Sequence, residues 1–203
     1  MAGLLEAVAS AEPTPGGGSA AAVGGALAAS VVAMAARLTL NRPRLAHLAD
    51  TARDVEVSAV TLQGELLHLA EADAAAYRAY LAARRLPRSS DREADVRRAQ
   101  ISATARQALE VPLELARATL RVLALAERLA GGSNPNVVSD VGSAAHLAAA
   151  AARSAVLNVR INLPSLPDGD ELRRNAGDQI ERLSREVDER EARAAELVAE
   201  VLG

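Results

Sequence analysis

The chain of 203 residues contains no cysteine. That excludes disulfides, a thiolate nucleophile and a zinc–thiolate site. It contains no tryptophan or phenylalanine and only two tyrosines, Tyr77 and Tyr80. Base-stacking platforms for single-stranded nucleic acid are therefore nearly excluded. Lysine is absent too, because all 23 basic residues are arginine, and Schiff-base catalysis goes with it. The formal net charge is −3, without the basic excess a nucleic-acid surface needs. The general acids and bases that remain are Asp, Glu, Tyr and three histidines, His47, His68 and His146. No pair of histidines has metal-ligand spacing, and no metal is expected.

What is present is helix-forming. Roughly a quarter of the chain is alanine, the best helix former. Strand signals are weak, with few β-branched runs and no Asn-Gly hairpin. The sequence predicts an all-α fold: one domain over residues 1–203, a compact alanine-rich bundle of about six to nine helices, some long and partly kinked. A short helix is expected near Ala2–Ser10, then one from Ser19 to about Leu40. Pro43 opens a long segment to about Arg85. Ser89-Ser90-Asp91 reads as a turn and N-cap before a segment from about Arg92 to Leu129. Pro112 lies inside that segment and predicts a kink or break near Glu110. A helix from about Val137 to Asn162 follows the loop Gly131–Asn136. The last helix opens at Asp168-Gly169-Asp170. Its stripe Leu172, Ala176, Ile180, Leu183, Val187, Ala194, Val198 and Leu202 marks an amphipathic face. Glu181/Arg185 and Glu186/Arg190 are i,i+4 pairs on its wet side. With few large side chains, the core must form by close helix approach, which Gly24, Gly25, Ala28 and Ala29 permit.

Pro13 to Ala36 carries no charge, but Ala20–Ala36 reads as too short and weakly apolar for a span, so a buried helix is expected rather than a membrane one. Neither a basic n-region nor a cleavage pattern opens the chain, and a cytoplasmic location is the expectation.

Three places could carry chemistry. In Pro13-Thr14-Pro15-Gly16-Gly17-Gly18-Ser19, the glycines permit unusual backbone angles and close approach of a ligand to the main chain. Ser19 stands where an N-cap belongs, with free N–H groups behind it. The stretch reads either as a tight turn with a cap or as an anion or carbonyl site at a helix N-terminus. It is not a nucleoside-triphosphate loop, since no Gly-Lys-Ser/Thr follows. Asp73, in an alanine-rich helix with Tyr77 one turn on, is either solvent-facing or a buried acid. Burial would raise its pKa toward the range useful for acid–base work. The third place is Asn134-Pro135-Asn136-Val137-Val138-Ser139-Asp140. Asn136 or Ser139 fits a helix cap there, with Asp140 favoured in the first turn. The helix that follows carries Asn158 and Asn162 on one face, and buried amides need partners, either a neighbouring backbone or a heterocycle. Asp140 and Asn158 lie on the same side of that helix but about 27 Å apart.

Together these blocks resemble the cyclodeaminase/cyclohydrolase family, which includes the cyclodeaminase domain of formiminotransferase-cyclodeaminase and stand-alone methenyltetrahydrofolate cyclohydrolases. The carriers are Pro13–Ala22, the small-residue helix through Met34 and Thr39, Glu71-Ala-Asp73 with Tyr77, Leu86-Pro87-Arg88, Val111-Pro-Leu113, Asn134-Pro-Asn136 with Ser139-Asp140, and Asn158-Val-Arg-Ile-Asn162. The resemblance covers nearly the whole chain. It implies an all-α homodimer acting on the one-carbon unit between N5 and N10 of tetrahydrofolate, with Asp73 as the proton-transfer group and Asp140, near the folate, as a second catalytic residue. The Gly16, Gly17, Gly18 and Ser19 loop, with Asn134, Ser139, Asn158 and Asn162, is implied to hold the folate. Arg88 stands where the family often has Lys, and His146 where a small apolar residue is usual. The implied reaction is cyclodeamination of 5-formimino-tetrahydrofolate or, alternatively, hydrolysis of 5,10-methenyl-tetrahydrofolate. Neither needs a metal, a prosthetic group, Cys or Lys. Any formimino group would be loaded by a separate formiminotransferase. A non-catalytic helical module, or one that binds another heterocycle, is the rival reading.

Overall fold

The computed structural model describes residues 2–203. Among them are six α-helices and three short 3-10 turns, and no strand. The helices are α1 (Ala2–Val8), α2 (Gly17–Leu40), α3 (Ala49–Arg84), α4 (Asp91–Ala130), α5 (Val138–Asn162) and α6 (Glu171–Leu202). The all-α bundle is as expected, with the helix count at the low end of the range.

α2 to α5 form an up-down-up-down bundle. α2 packs against α3 and α5, and α4 closes the ring against the same two. Cross-helix bonds give the register. Ser30 receives a hydrogen bond from Gln63, and Arg37 pairs with Glu56, so α2 and α3 run antiparallel. α6 lies along α4 and α5.

Alanine lines most helix contacts; Leu66, Leu109, Leu115, Leu123 and Leu129 are among the few large side chains fully buried between them. Small residues bring the axes together, and packing then depends on individual atoms. At Gly25 a β-carbon would stand 2.6 Å from Thr119 Cγ2, so the approach of α2 to α4 requires glycine there.

Several local expectations change. α2 begins at Gly17, capped by the backbone of Gly16, and Ser19 lies inside the helix instead of capping it. Gly16, Gly17 and Gly18 all avoid positive φ, so none serves an unusual backbone angle, and of the three only Gly18 lacks room for a β-carbon. Pro43–Leu48 forms a separate 3-10 turn before α3, because Leu45 leaves helical geometry at φ −107° and ψ 19°. At the start of α4, Ser90 caps the helix where the sequence places a turn and N-cap, and with Glu93 it forms a reciprocal capping box. Near α5, Asn134 caps the 3-10 turn Pro135–Val137, and neither Asn136 nor Ser139 caps the helix. On α6, Arg190 pairs with Glu186, while Glu181 pairs with Arg160 of α5 and not with Arg185.

α4 runs unbroken through Pro112. Proline has no N–H, so the Ala108 carbonyl one turn earlier loses its helical donor. The Asn162 side-chain amide supplies one at 2.7 Å. That substitution explains why the helix continues.

α2 proves long and apolar enough to cross a membrane, contrary to the reading of its Ala20–Ala36 core. Most of it is nevertheless buried inside the bundle.

Candidate active site

All four bundle helices meet at one end around a cleft of about 280 Å³. The loop Pro13–Gly16 and the first turn of α2 form one wall. Asp73, Ala76 and Tyr77 of α3 form the second, Ala108 and Val111 of α4 the third, and Asn158, Ile161 and Asn162 of α5 the fourth. Up-down-up-down connectivity puts the start of α2 and the end of α5 at the same end.

Asp73 supplies the carboxyl group of the cleft. Its carboxyl lies against the backbone of Gly18, where a β-carbon would stand 2.6 Å from Asp73 Cγ. Ser19 is buried, and its hydroxyl oxygen is 3.1 Å from both Asp73 Oδ2 and the Ala70 carbonyl. A hydroxyl has one hydrogen, so it serves one acceptor at a time. With Asp73 ionised, Ser19 donates to the carboxylate. With Asp73 protonated, the acid can donate to Ser19, which turns its hydrogen to Ala70. Ser19 thus accommodates both protonation states without moving. Burial pushes the Asp73 carboxyl above its ordinary pKa, and the Ser19 hydroxyl and backbone N–H partly offset this. Glu127 and Glu191 go the other way: burial raises each, but arginine neighbours, with His146 beside Glu191, hold both below the usual range.

The remaining donors frame the cleft. The first N–H groups of α2 point out of a positive helix end. Asn158 donates its amide to the Ser154 carbonyl at 2.8 Å. Asn162 donates one amide hydrogen to Ala108, which leaves its second N–H and its acceptor oxygen as its available polar groups in the cleft. Ala76, Ala108, Val111 and Ile161 make the rest of the lining apolar. Val111 and Ile161 were quoted from the sequence only as members of family blocks, without a place in the site. The orphaned carbonyl implied by Pro112 was the signal that could have led to this corner.

Of the sequence-predicted residues, the fold brings together Gly16, Gly17, Gly18, Asp73, Asn158 and Asn162 around the cleft, with Ser19 behind Asp73. Asn134, Ser139 and Asp140 lie at the opposite end of the bundle. Thr39, about 33 Å along α2 from Gly17, accepts the Asn134 backbone N–H at 3.0 Å. Asn134 is buried; its amide donates to Leu38 and its oxygen accepts from Asn136. Its hydrogen bonds run to the loop and to the end of α2, away from the cleft of its own chain. Ser139 and Asp140 occupy the first turn of α5, about 27 Å from Asn158, outside the cleft of their own chain. His146 pairs with Glu191 at 2.8 Å on the α5–α6 surface.

Beyond the cleft, α3 and α4 continue as an exposed antiparallel arm. Residues 78–106 contain eight arginines against Asp91, Glu93 and Asp95, in a chain whose net charge is −3. Arg84 lies over the Tyr80 ring at 5.9 Å.

The sequence profile of the formiminotransferase-cyclodeaminase family matches residues 1–182. The chain belongs to that family. A methenyltetrahydrofolate cyclohydrolase of Methylorubrum extorquens is 37% identical over 165 residues, covering 81% of this chain and 79% of that protein. The formimidoyltransferase-cyclodeaminase of mouse is 33% identical over 83% of this chain, which spans only 31% of the mouse protein. Among solved structures, the formiminotetrahydrofolate cyclodeaminase of Thermotoga maritima has the same fold, with a TM-score of 0.87, 24% identity, and coverage of 98% of this chain and 95% of that one. Within the family match lie the cleft and the arm; the last two-thirds of α6 extends past it.

Proposed function

We propose that the cleft holds the reduced pterin of a tetrahydrofolate and that Asp73 transfers a proton at its N5/N10 one-carbon unit. The observation that carries this is one desolvated carboxyl, braced by Ser19 and Gly18, in an otherwise apolar and amide-lined cleft of a member of this family. A volume of about 280 Å³ suits a flat bicyclic head and leaves the rest of the molecule outside. The glutamate tail then leaves past Tyr77 onto the arginine-rich arm, where paired carboxylates meet guanidinium groups.

The raised pKa favours cyclodeamination. N10 of 5-formimino-tetrahydrofolate attacks the formimino carbon, the C–N10 bond forms, and the bond to the exocyclic nitrogen breaks. That nitrogen leaves as ammonia, carrying one proton from N10 and one from Asp73. The product is the 5,10-methenyl cation. The formimino group has to be loaded by a separate transferase.

The second reading is cyclohydrolysis, favoured by the relative from M. extorquens, of which this chain covers most. Here ionised Asp73 takes a proton from water as it adds to the methenyl carbon. The C–N5 bond then breaks to give 10-formyl-tetrahydrofolate, with net release of one proton.

Purified protein supplied separately with each folate tests both readings. Ammonia release with ring closure identifies the first, and loss of the methenyl compound identifies the second. Neither activity, with no folate binding, would sink the proposal.

A further inference from the structure

A second cavity lies behind the Asp73 carboxyl. It measures about 560 Å³ and sits between α1, α2 and α3, lined by Leu4, Pro15, Ser19, Val23, Ala70 and Ala74. Glu71 and Arg78, both exposed, stand at its edge. Among the described residues, none lines both this cavity and the cleft. Helical geometry explains the separation. Asp73, Ala76 and Tyr77 share one flank of α3, while Ala70, Glu71, Ala74 and Arg78 share another, about 120° around the axis.

The partition between the two is thin. Gly18 packs so closely against the Asp73 carboxyl that a β-carbon there would overlap it. Beside that contact a single hydrogen bond spans the partition. Ser19 lines the cavity, Asp73 lines the cleft, and the hydroxyl of the first lies 3.1 Å from Oδ2 of the second. The same hydroxyl lies 3.1 Å from the carbonyl of Ala70, on the cavity side. A cavity of this size has room for several waters, and Ser19, Glu71 and Arg78 offer them polar partners.

Either proposed reaction leaves Asp73 one proton out of balance. After cyclodeamination it has given a proton to ammonia. After cyclohydrolysis it holds one taken from water. That proton must be exchanged with solvent, yet a pterin filling the 280 Å³ cleft covers the carboxyl from the front.

We propose that Ser19 is a proton relay, which resets Asp73 after each turnover through water in the cavity behind it. The relay rests on the folate reading. In reloading, the Ser19 O–H bond breaks as its hydrogen passes to Asp73 Oδ2. A new O–H bond forms on Ser19 with a proton delivered from solvent through the cavity. The new hydrogen rests on the Ala70 carbonyl until Asp73 ionises again, and then swings back. Under cyclohydrolysis the same steps run in reverse and discharge a proton into the cavity.

Bracing and relaying separate in time. A serine that only positions Asp73 affects the first turnover as much as later ones, whereas a relay is needed from the second onward. Ser19→Ala, which suits the helix, is compared with wild type on the plateau of each pH profile. The first turnover is followed by rapid mixing of the active folate with excess enzyme, and later ones at steady state. The ratio of first-turnover to steady-state rate should rise about 10-fold or more in the variant. Imidazole, small enough to enter the cavity, should raise the variant's steady-state rate and leave wild type unchanged. Both rates falling in step, a steady-state rate equal to wild type, or no response to imidazole would overturn the relay. A wild-type protein inactive on both folates would sink the folate reading, and the relay with it.

Discussion

Gly18 and Asp73 occupy the same small volume: a β-carbon on residue 18 would stand 2.6 Å from the carboxyl carbon of Asp73. The atoms that would have to yield are the far end of a side chain, so Gly18→Ala should fold. Alanine even gains up to ~1 kcal/mol of helix propensity. The carboxyl must move, however, and misplacing a reacting group by about 1 Å costs on the order of 10² in rate. Thermal melts and steady-state kinetics on one sample check this: the melting temperature should hold while kcat falls about 100-fold.

The pH profile separates the two proposed reactions. If Asp73 acts as an acid toward departing ammonia, kcat falls as pH rises through its elevated pKa. If it acts as a base toward water, kcat falls as pH drops through the same value. Ser19→Ala removes the hydroxyl that holds this pKa down, so the inflection should move to higher pH under either reaction. An inflection that stays in place would detach it from Asp73.

Asn162 and Pro112 should be energetically coupled through the Ala108 carbonyl. Asn162→Ala leaves that carbonyl unsatisfied, a loss of about 1–3 kcal/mol. Pro112→Ala restores a backbone N–H that can bond to it. In that background the Asn162→Ala loss should shrink by about 1 kcal/mol or more, as a double-mutant cycle in denaturant would measure. Additive losses would mean the carbonyl is satisfied some other way.

How much of this was legible in the sequence follows from what each feature depends on. The helices, the cap before α4 and the end of α5 rest on local propensity and capping, and they stand within several residues of where the sequence puts them. The continuity of α4 was not legible, because the donor that rescues Ala108 comes from Asn162, fifty-four residues away. Ser19 looked like a cap for a similar reason. Its true partners, Ala70 and Asp73, belong to another helix. Asp73 and the glycine loop stood out by residue type, but only the family resemblance gave them a place in a site. That Asn134 spends its bonds on the end of α2 required the bundle.

Asp73 should also weaken the fold at neutral pH. The folded chain holds this proton to higher pH than the unfolded chain does. Stability is therefore unaffected below the ordinary carboxylate range and declines as pH rises through the elevated value. Asn keeps an acceptor for Ser19 and carries no charge. Asp73→Asn should melt higher than wild type at pH 8, and the difference should disappear in acid. A variant less stable at pH 8 would show that the carboxylate is well solvated.

The most direct test of the central claim is the rate of ammonia release and ring closure from 5-formimino-tetrahydrofolate, compared between wild type and Asp73→Asn. Consumption of the methenyl compound by the same two proteins is measured in parallel. The wild type should turn over at least one of the two, and the variant should lose about 10²–10⁴-fold on that substrate while still binding folate. Equal rates in the two proteins would contradict the assignment of the proton transfer to Asp73.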